Sequence, residues 1–216
     1  MSVLNNYIII KNQVSSLSTN TKIIVVTKTF DIDIINPIIA HGHIHFGENK
    51  VQEAIRKWQP VIHQYPNLKL HLIGHLQSNK VREAVKTFDY IHSLSSEKLA
   101  NKLINEEHLI KKKLKYFIQI NFTNSKDRIG IRPDEATNFI QYCINDLKLQ
   151  IIGLMCIPSI NEHPNYSFSQ LKKIADKNNL NELSIGMSND YLIAIKYGST
   201  YIRIGSRIFG DRKKSQ

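Results

Sequence analysis

Cysteine is scarce in this chain: 216 residues carry two, Cys143 and Cys156. Both sit among apolar neighbours and neither has metal-ligand spacing. A disulfide framework and a thiolate metal centre are therefore not expected; two inert core thiols in a reducing compartment are. Long apolar runs are missing too, since no stretch approaches the roughly 18 residues of a membrane span. The N-terminal segment holds only the short run Tyr7–Ile10, with no basic leader and no small-residue cleavage site. No signal peptide is expected, and the cytoplasm is the expected location. There is no internal repeat, low-complexity linker or break in composition. The expected organisation is thus one domain over residues 1–216, with 1–20 an N-terminal extension or helix and 211–216 a polar, frayed tail.

Acidic residues are few, 18 Asp and Glu against 29 Lys and Arg, a formal charge of +11. Such a balance can mark nucleic-acid binding. Here the lysines are spread along the chain, and the one dense cluster is Lys111–Lys113 with Lys115. No zinc-finger, RNP-like or helix-turn-helix pattern accompanies them. Isoleucine, asparagine and lysine are frequent throughout, as a biased genome would produce, so nucleic acid is not an expected partner.

What the chain does contain is alternation. Short β-branched runs at Ile23–Thr27, Ile44–Phe46, Leu70–Ile73, Tyr90–Ser93, Tyr116–Asn121, Gln150–Met155, Glu182–Ile185 and Tyr201–Ile204 read as strands. Amphipathic segments lie between them, among them Lys50–His63, Glu97–Glu107, Pro133–Asn145, Ser167–Asn178 and Asn189–Lys196. Pro133 suits a first helical turn, where a missing N–H costs nothing, and Gly198 suits a helix stop. Strands alternating with helices imply parallel pairing through crossovers. Eight of them in this length fit a (β/α)8 TIM barrel, with an open doubly wound sheet as the rival.

A barrel binds ligands at the C-terminal ends of its strands, and phosphate commonly at the loops after strands 7 and 8. Lys28 ends the first strand on the same side as Ile24 and Val26. A lysine there either reaches out of the barrel mouth or is functional, and partial desolvation would make its amine a competent Schiff-base nucleophile. Strand 7 runs into Ser184-Ile185-Gly186-Met187-Ser188, where Ser188 could cap the next helix or present donors to a phosphate. Strand 8 carries Arg203 and ends in Gly205-Ser206, a glycine for close approach and a hydroxyl donor. His41-Gly42-His43-Ile44-His45 invites a metal reading, but no Cys, Asp or Glu with ligand spacing joins it, and no metal is expected. His71 and His75 read as ordinary polar residues at strand ends, and Glu106-Glu107 as a solvent-facing pair.

These residues also carry a resemblance. Val25-Val26-Thr27-Lys28-Thr29, Phe46-Gly47-Glu48-Asn49-Lys50-Val51-Gln52-Glu53 and His71-Leu72-Ile73-Gly74-His75-Leu76-Gln77-Ser78-Asn79-Lys80 are similar to blocks of the pyridoxal-phosphate homeostasis proteins, the YggS/PROSC family. So are Gly153-Leu154-Met155, Leu183-Ser184-Ile185-Gly186-Met187-Ser188 and Ile202-Arg203-Ile204-Gly205-Ser206-Arg207-Ile208-Phe209-Gly210. The resemblance implies a barrel like the N-terminal domain of alanine racemase, with pyridoxal 5′-phosphate (PLP) held as a Schiff base on Lys28. It places Arg203 at the pyridine nitrogen and Ser188, Gly205 and Ser206 on the phosphate, with Ser184 a neighbour. Asn49, Ile73 and Met155 would line the ring pocket. Departures are mild: Thr27 stands where serine is usual, Lys50 where tyrosine is, and Ser206 where threonine is. The segment before Ile23 lacks the clear caps of the usual amphipathic helix.

The expected function is PLP binding in intracellular cofactor homeostasis, without substantial catalysis, with apo-forms of PLP-dependent enzymes as candidate partners and no membrane association. The alternative is a PLP-dependent amino-acid racemase. An arginine at the ring nitrogen keeps it neutral and weakens the electron sink. A racemase also needs a second base, which in the related enzymes comes from a C-terminal β-domain, and this sequence ends at Gln216.

Overall fold

The computed structural model describes residues 2–123, 128–159 and 163–210; the tail 211–216 lies outside them. Eight strands close into a barrel in chain order. They are β1 (Lys22–Val26), β2 (His45–Glu48), β3 (Lys69–Leu72), β4 (Tyr90–Leu94), β5 (Lys115–Gln119), β6 (Ile151–Met155), β7 (Glu182–Met187) and β8 (Tyr201–Ile204). Every neighbouring pair is parallel, and β8 returns to β1 with Lys22 opposite Tyr201 and Ile24 opposite Arg203. The open sheet is thereby ruled out. β1 and β4 are buried over almost their whole length, as strands must be when helices cover one side and the barrel interior the other.

The helices are α1 (Val3–Leu17), α2 (Ile32–Ala40), α3 (Val51–Trp58), α4 (Val81–Thr87), α5 (Glu97–Ile110), α6 (Ala136–Gln141), α7 (Asn165–Lys177), α8 (Tyr191–Lys196) and α9 (Ser206–Phe209). The first is better capped than its sequence promised: the Ser2 hydroxyl accepts from the Asn5 N–H at 3.2 Å. It buries Tyr7, Ile10 and Val14 and ties itself to the far end of the chain, with the Asn6 amide donating to the Ile208 carbonyl at 2.9 Å.

Three local expectations are corrected. Pro133 lies in a turn ahead of α6, and the helix widens into a π-helical turn over Tyr142–Asp146. Ser188 caps nothing, because the Met187 N–H donates to Asp190 Oδ1 at 2.6 Å, closing a turn that delays α8 to Tyr191. Glu107 faces the core, where its Oε1 accepts from the Leu114 N–H and the Tyr116 hydroxyl. Gly198 does end α8, at φ +81°, a conformation glycine adopts without strain.

The barrel interior departs from the usual filling of Val, Ile and Leu. Rings occupy it: His71 stacks on Tyr90 at 4.2 Å, His92 on Phe117 at 4.3 Å, and Tyr201 meets Phe117 edge-on at 5.4 Å. Both thiols are buried, and desolvation pushes each up to about 12, well away from thiolate chemistry at neutral pH.

Candidate functional site

A cavity of about 740 Å³ opens at the C-terminal ends of the strands. Its wall includes Lys28 after β1, Asn49 after β2, Ile73 after β3, Ser188 after β7, and Arg203, Gly205 and Ser206 from β8 and its exit. Seven of the nine residues named from sequence thus meet in one place. The other two do not reach the wall: Met155 and Ser184 are fully buried inside the barrel. Met155 packs with Ile24, Tyr90, Phe117 and Tyr201, and Ser184 lies under Arg203.

Lys28 is positioned by what grips its neighbours. Thr27 is buried and its hydroxyl donates to Glu48 Oε1 at 2.6 Å, while Lys57 Nζ donates to the Thr27 carbonyl, also at 2.6 Å. On the other side Thr29 holds φ at +68°, a costly conformation for a β-branched residue, and its N–H donates to the Glu53 carboxylate. Glu48 has no exposure and its Oε1 also accepts from Lys57 Nζ at 2.8 Å and Trp58 Nε1 at 3.0 Å. The end of β1 is therefore clamped from the end of β2 and from α3. Sequence reasoning missed this clamp, although Glu48 and Glu53 lie in the segment Phe46–Glu53 that carries the family resemblance.

Arg203 is a buried cation, and burial pulls its pKa down from the ordinary guanidinium value. Among the described residues no carboxylate pairs with it. Its NH1 donates to the Ser184 carbonyl at 2.6 Å and hydroxyl at 2.7 Å, and NH2 to the Cys156 carbonyl at 3.2 Å. A guanidinium has five N–H donors, and these bonds use three. Two are left over, on a residue that lines the cavity. Close by, the Gly205 N–H donates to Ser188 Oγ at 3.3 Å, joining the β7 and β8 exits. A Cβ on Gly205 would meet Val26 at 3.4 Å, an ordinary contact, so the protein itself does not demand glycine there. The first N–H groups of α9, at Ser206 and Arg207, have no carbonyl within the helix to bond. A lysine, an arginine outside any ion pair with spare donors, and hydroxyls beside the first N–H groups of a helix form a donor set suited to an anionic ligand.

The histidines give the main surprise. His41, His43 and His45 do not converge: His43 Nδ1 lies 3.0 Å from the Tyr7 hydroxyl and its Nε2 2.8 Å from the His45 carbonyl. His45 Nδ1 lies 2.9 Å from His71 Nε2, His71 Nδ1 2.9 Å from His92 Nε2, and His92 Nδ1 2.8 Å from Ser184 Oγ. A file of rings thus runs inside the barrel from the start of β2 to the residue under Arg203. His71 is a fully buried member of it and not a polar residue at a strand end.

Comparison with known proteins agrees with this geometry. The family model described as alanine racemase, N-terminal domain, matches residues 2–213. The pyridoxal phosphate homeostasis protein of Haemophilus influenzae is 38% identical over 204 residues, covering 90% of this chain and 86% of that protein. The human protein of the same name is 34% identical over 218 residues, covering 90% of this chain and 78% of its own. PipY of Synechococcus elongatus, solved with PLP bound, superposes with a TM-score of 0.87 at 32% identity over 97% of this chain and all of its own. An alanine racemase of Clostridium difficile shares the fold, with a TM-score of 0.75 at 17% identity, and this chain covers 58% of it.

Proposed function

The chain belongs to the pyridoxal phosphate homeostasis protein family, which carries the alanine racemase N-terminal fold, and from that premise we propose that it binds PLP in cofactor homeostasis, as a Schiff base on Lys28. The observation that carries the reading is the meeting of Lys28, Arg203, Ser188 and Ser206 on one cavity wall. When bound, PLP supplies an aldehyde that condenses reversibly with amines, and an electron sink whose strength depends on protonation of its ring nitrogen. Arg203 would offer a spare N–H group to that nitrogen. An arginine does not give up a proton, so the nitrogen stays an unprotonated acceptor. Ser188 and Ser206 offer hydroxyls to the phosphate, with the N–H groups at the α9 start beside them. Asn49 and Ile73 would line the ring pocket. Met155 and Ser184 act from behind, Met155 by packing and Ser184 through Arg203.

Each serine supplies one bond to a charged oxygen, worth about 1.5–3 kcal/mol, which is roughly 10- to 150-fold in affinity. Ser188→Ala and Ser206→Ala should each weaken PLP binding by that order without abolishing it, read by spectroscopic titration. Normal affinity in both variants would place the phosphate elsewhere.

Carrier and racemase readings part on the second base. Among the described residues of the cavity wall there is no tyrosine, histidine or cysteine, and the carboxylate there, Asp190, holds the turn before α8 through Oδ1, which leaves it the residue a racemase would have to use. A positioned acid or base contributes roughly 10²–10⁴-fold. The deciding experiment loads the protein with PLP and incubates it with L-alanine in heavy water. One equivalent of PLP should bind with a visible absorption band, and α-deuteration should run no faster than with free PLP. Rapid exchange with loss of chirality, abolished by Lys28→Ala, would establish the racemase. Absence of any bound PLP would end both readings.

A further inference from the structure

We infer that His92, acting through Ser184, is a positioning residue for Arg203, at the head of a one-way chain of hydrogen bonds that runs His45–His71–His92–Ser184 inside the barrel. The inference rests on the reading that Arg203 meets the cofactor ring.

The direction follows from counting donors. Arg203 can only donate, and its NH1 lies 2.7 Å from Ser184 Oγ, so that oxygen accepts. The Ser184 hydroxyl then has one hydrogen to place, and the acceptor at hand is His92 Nδ1 at 2.8 Å. A neutral His92 that accepts at Nδ1 carries its proton on Nε2 and donates to His71 Nδ1, 2.9 Å away. By the same step His71 donates from Nε2 to His45 Nδ1, also 2.9 Å away. His45 opens β2 and is part-exposed, so its outward N–H can meet water. Reversing the chain would make Ser184 Oγ accept from both Arg203 and His92 and leave its own hydrogen unplaced in a site without exposure, which is disfavoured. A charged ring would break the file, because it donates at both nitrogens. Burial and the Arg203 charge hold His92 neutral, and burial and the neighbouring rings hold His71 neutral.

Each link in such a file polarises the next, so the acceptor strength felt by Arg203 at Ser184 depends on His92. Stacking on Phe117 at 4.3 Å and, for His71, on Tyr90 at 4.2 Å keeps the rings from turning. The file therefore fixes which guanidinium hydrogens are spent inside the barrel and so how the guanidinium is held at the cavity.

The test begins on the protein without PLP. Long-range proton–nitrogen NMR of ¹⁵N-histidine-labelled protein at pH 7.5 should show His71 and His92 as neutral Nε2–H tautomers. A proton on His92 Nδ1, or a charged ring at either position, would overturn the inference. Ser184→Ala, the smallest cut in the chain, should move the His92 nitrogen shifts and weaken PLP binding about tenfold, the scale of one bond, with a shifted visible band and an unchanged cooperative melt. His92→Leu should do the same, whereas His92→Asn, which returns an acceptor where Nδ1 stood, should restore affinity to within about threefold. Arg203→Met separates the two possible failures. If it binds PLP with native affinity and spectrum, the cofactor reading of Arg203 falls and takes this inference with it. If it is impaired while Ser184→Ala and His92→Leu bind normally, only the positioning role falls.

Discussion

Between pH 6.5 and pH 4 this barrel is expected to lose most of its stability and to unfold. The cause is the set of histidines enclosed within and beneath it. Burial pulls His43 and His45 down to about 4, and holds His71 and His92 well below the ordinary value of 6.5. In the unfolded chain all four take up protons as the pH falls through about 6.5, whereas in the folded chain they do not. The unfolded state then binds more protons, and stability falls with falling pH. It is fully present above pH 6.5 and withdrawn progressively down to the folded pKa values. At 1.36 kcal/mol per unit, His43 and His45 alone each withdraw about 3 kcal/mol by pH 4. Domains of ordinary stability hold about 5–15 kcal/mol in total. Burial raises the Glu107 carboxyl, which works in the opposite sense, but it is one group against four. Urea midpoints measured at intervals from pH 8 to pH 4 should be level at the top and fall steeply below 6.5, and His45→Asn should flatten the slope. Midpoints that stay level down to pH 4.5 would show that the rings are not enclosed as described.

That same set of residues marks where reading from sequence stops. The strands were legible because parallel strands buried on both faces read as short β-branched runs, and all eight appear within a few residues of their expected places. Lys28, Ser188, Gly205 and Ser206 could be placed at the barrel mouth because ligands bind at the ends of barrel strands, whereas Asn49 came only through the family resemblance. The start of α8 was not, since it depends on one carboxylate, that of Asp190, closing a turn three residues back. Nor was the depth of Met155 and Ser184: strand alternation assigns a side, but Arg203 lies over Ser184 and decides that it serves from beneath. The histidine file was the least visible. His71 and His92 are 21 residues apart and His92 and Ser184 are 92 apart, and no local pattern says that three rings from three strands will meet end to end. The one local sign was an imidazole set mid-strand among apolar residues, as in Tyr90-Ile91-His92.

Reduction of the PLP-loaded protein with borohydride should leave a phosphopyridoxyl group on Lys28 and on no other lysine, and Lys28→Ala should take up no label at that site or elsewhere. The expectation rests on the clamp around the end of β1. Thr27 and Thr29, on either side, are held by Glu48, Lys57 and Glu53, so the Lys28 side chain leaves a fixed backbone for the cavity wall. Lys57, which donates to the Thr27 carbonyl next to Lys28, is almost buried against Glu48 Oε1 and does not line the cavity. Lys112 does not line the cavity either, and donates to the Lys86 and Phe88 carbonyls at 3.1 and 2.8 Å. Lys28→Ala should melt within about 0.5 kcal/mol of the parent, because it shortens a side chain on a cavity wall and opens no hole in packed core. That separates loss of attachment from loss of fold. Peptide mapping that finds the label chiefly on Lys80 or in Lys111–Lys113, or that finds it undiminished in Lys28→Ala, would sink the assignment.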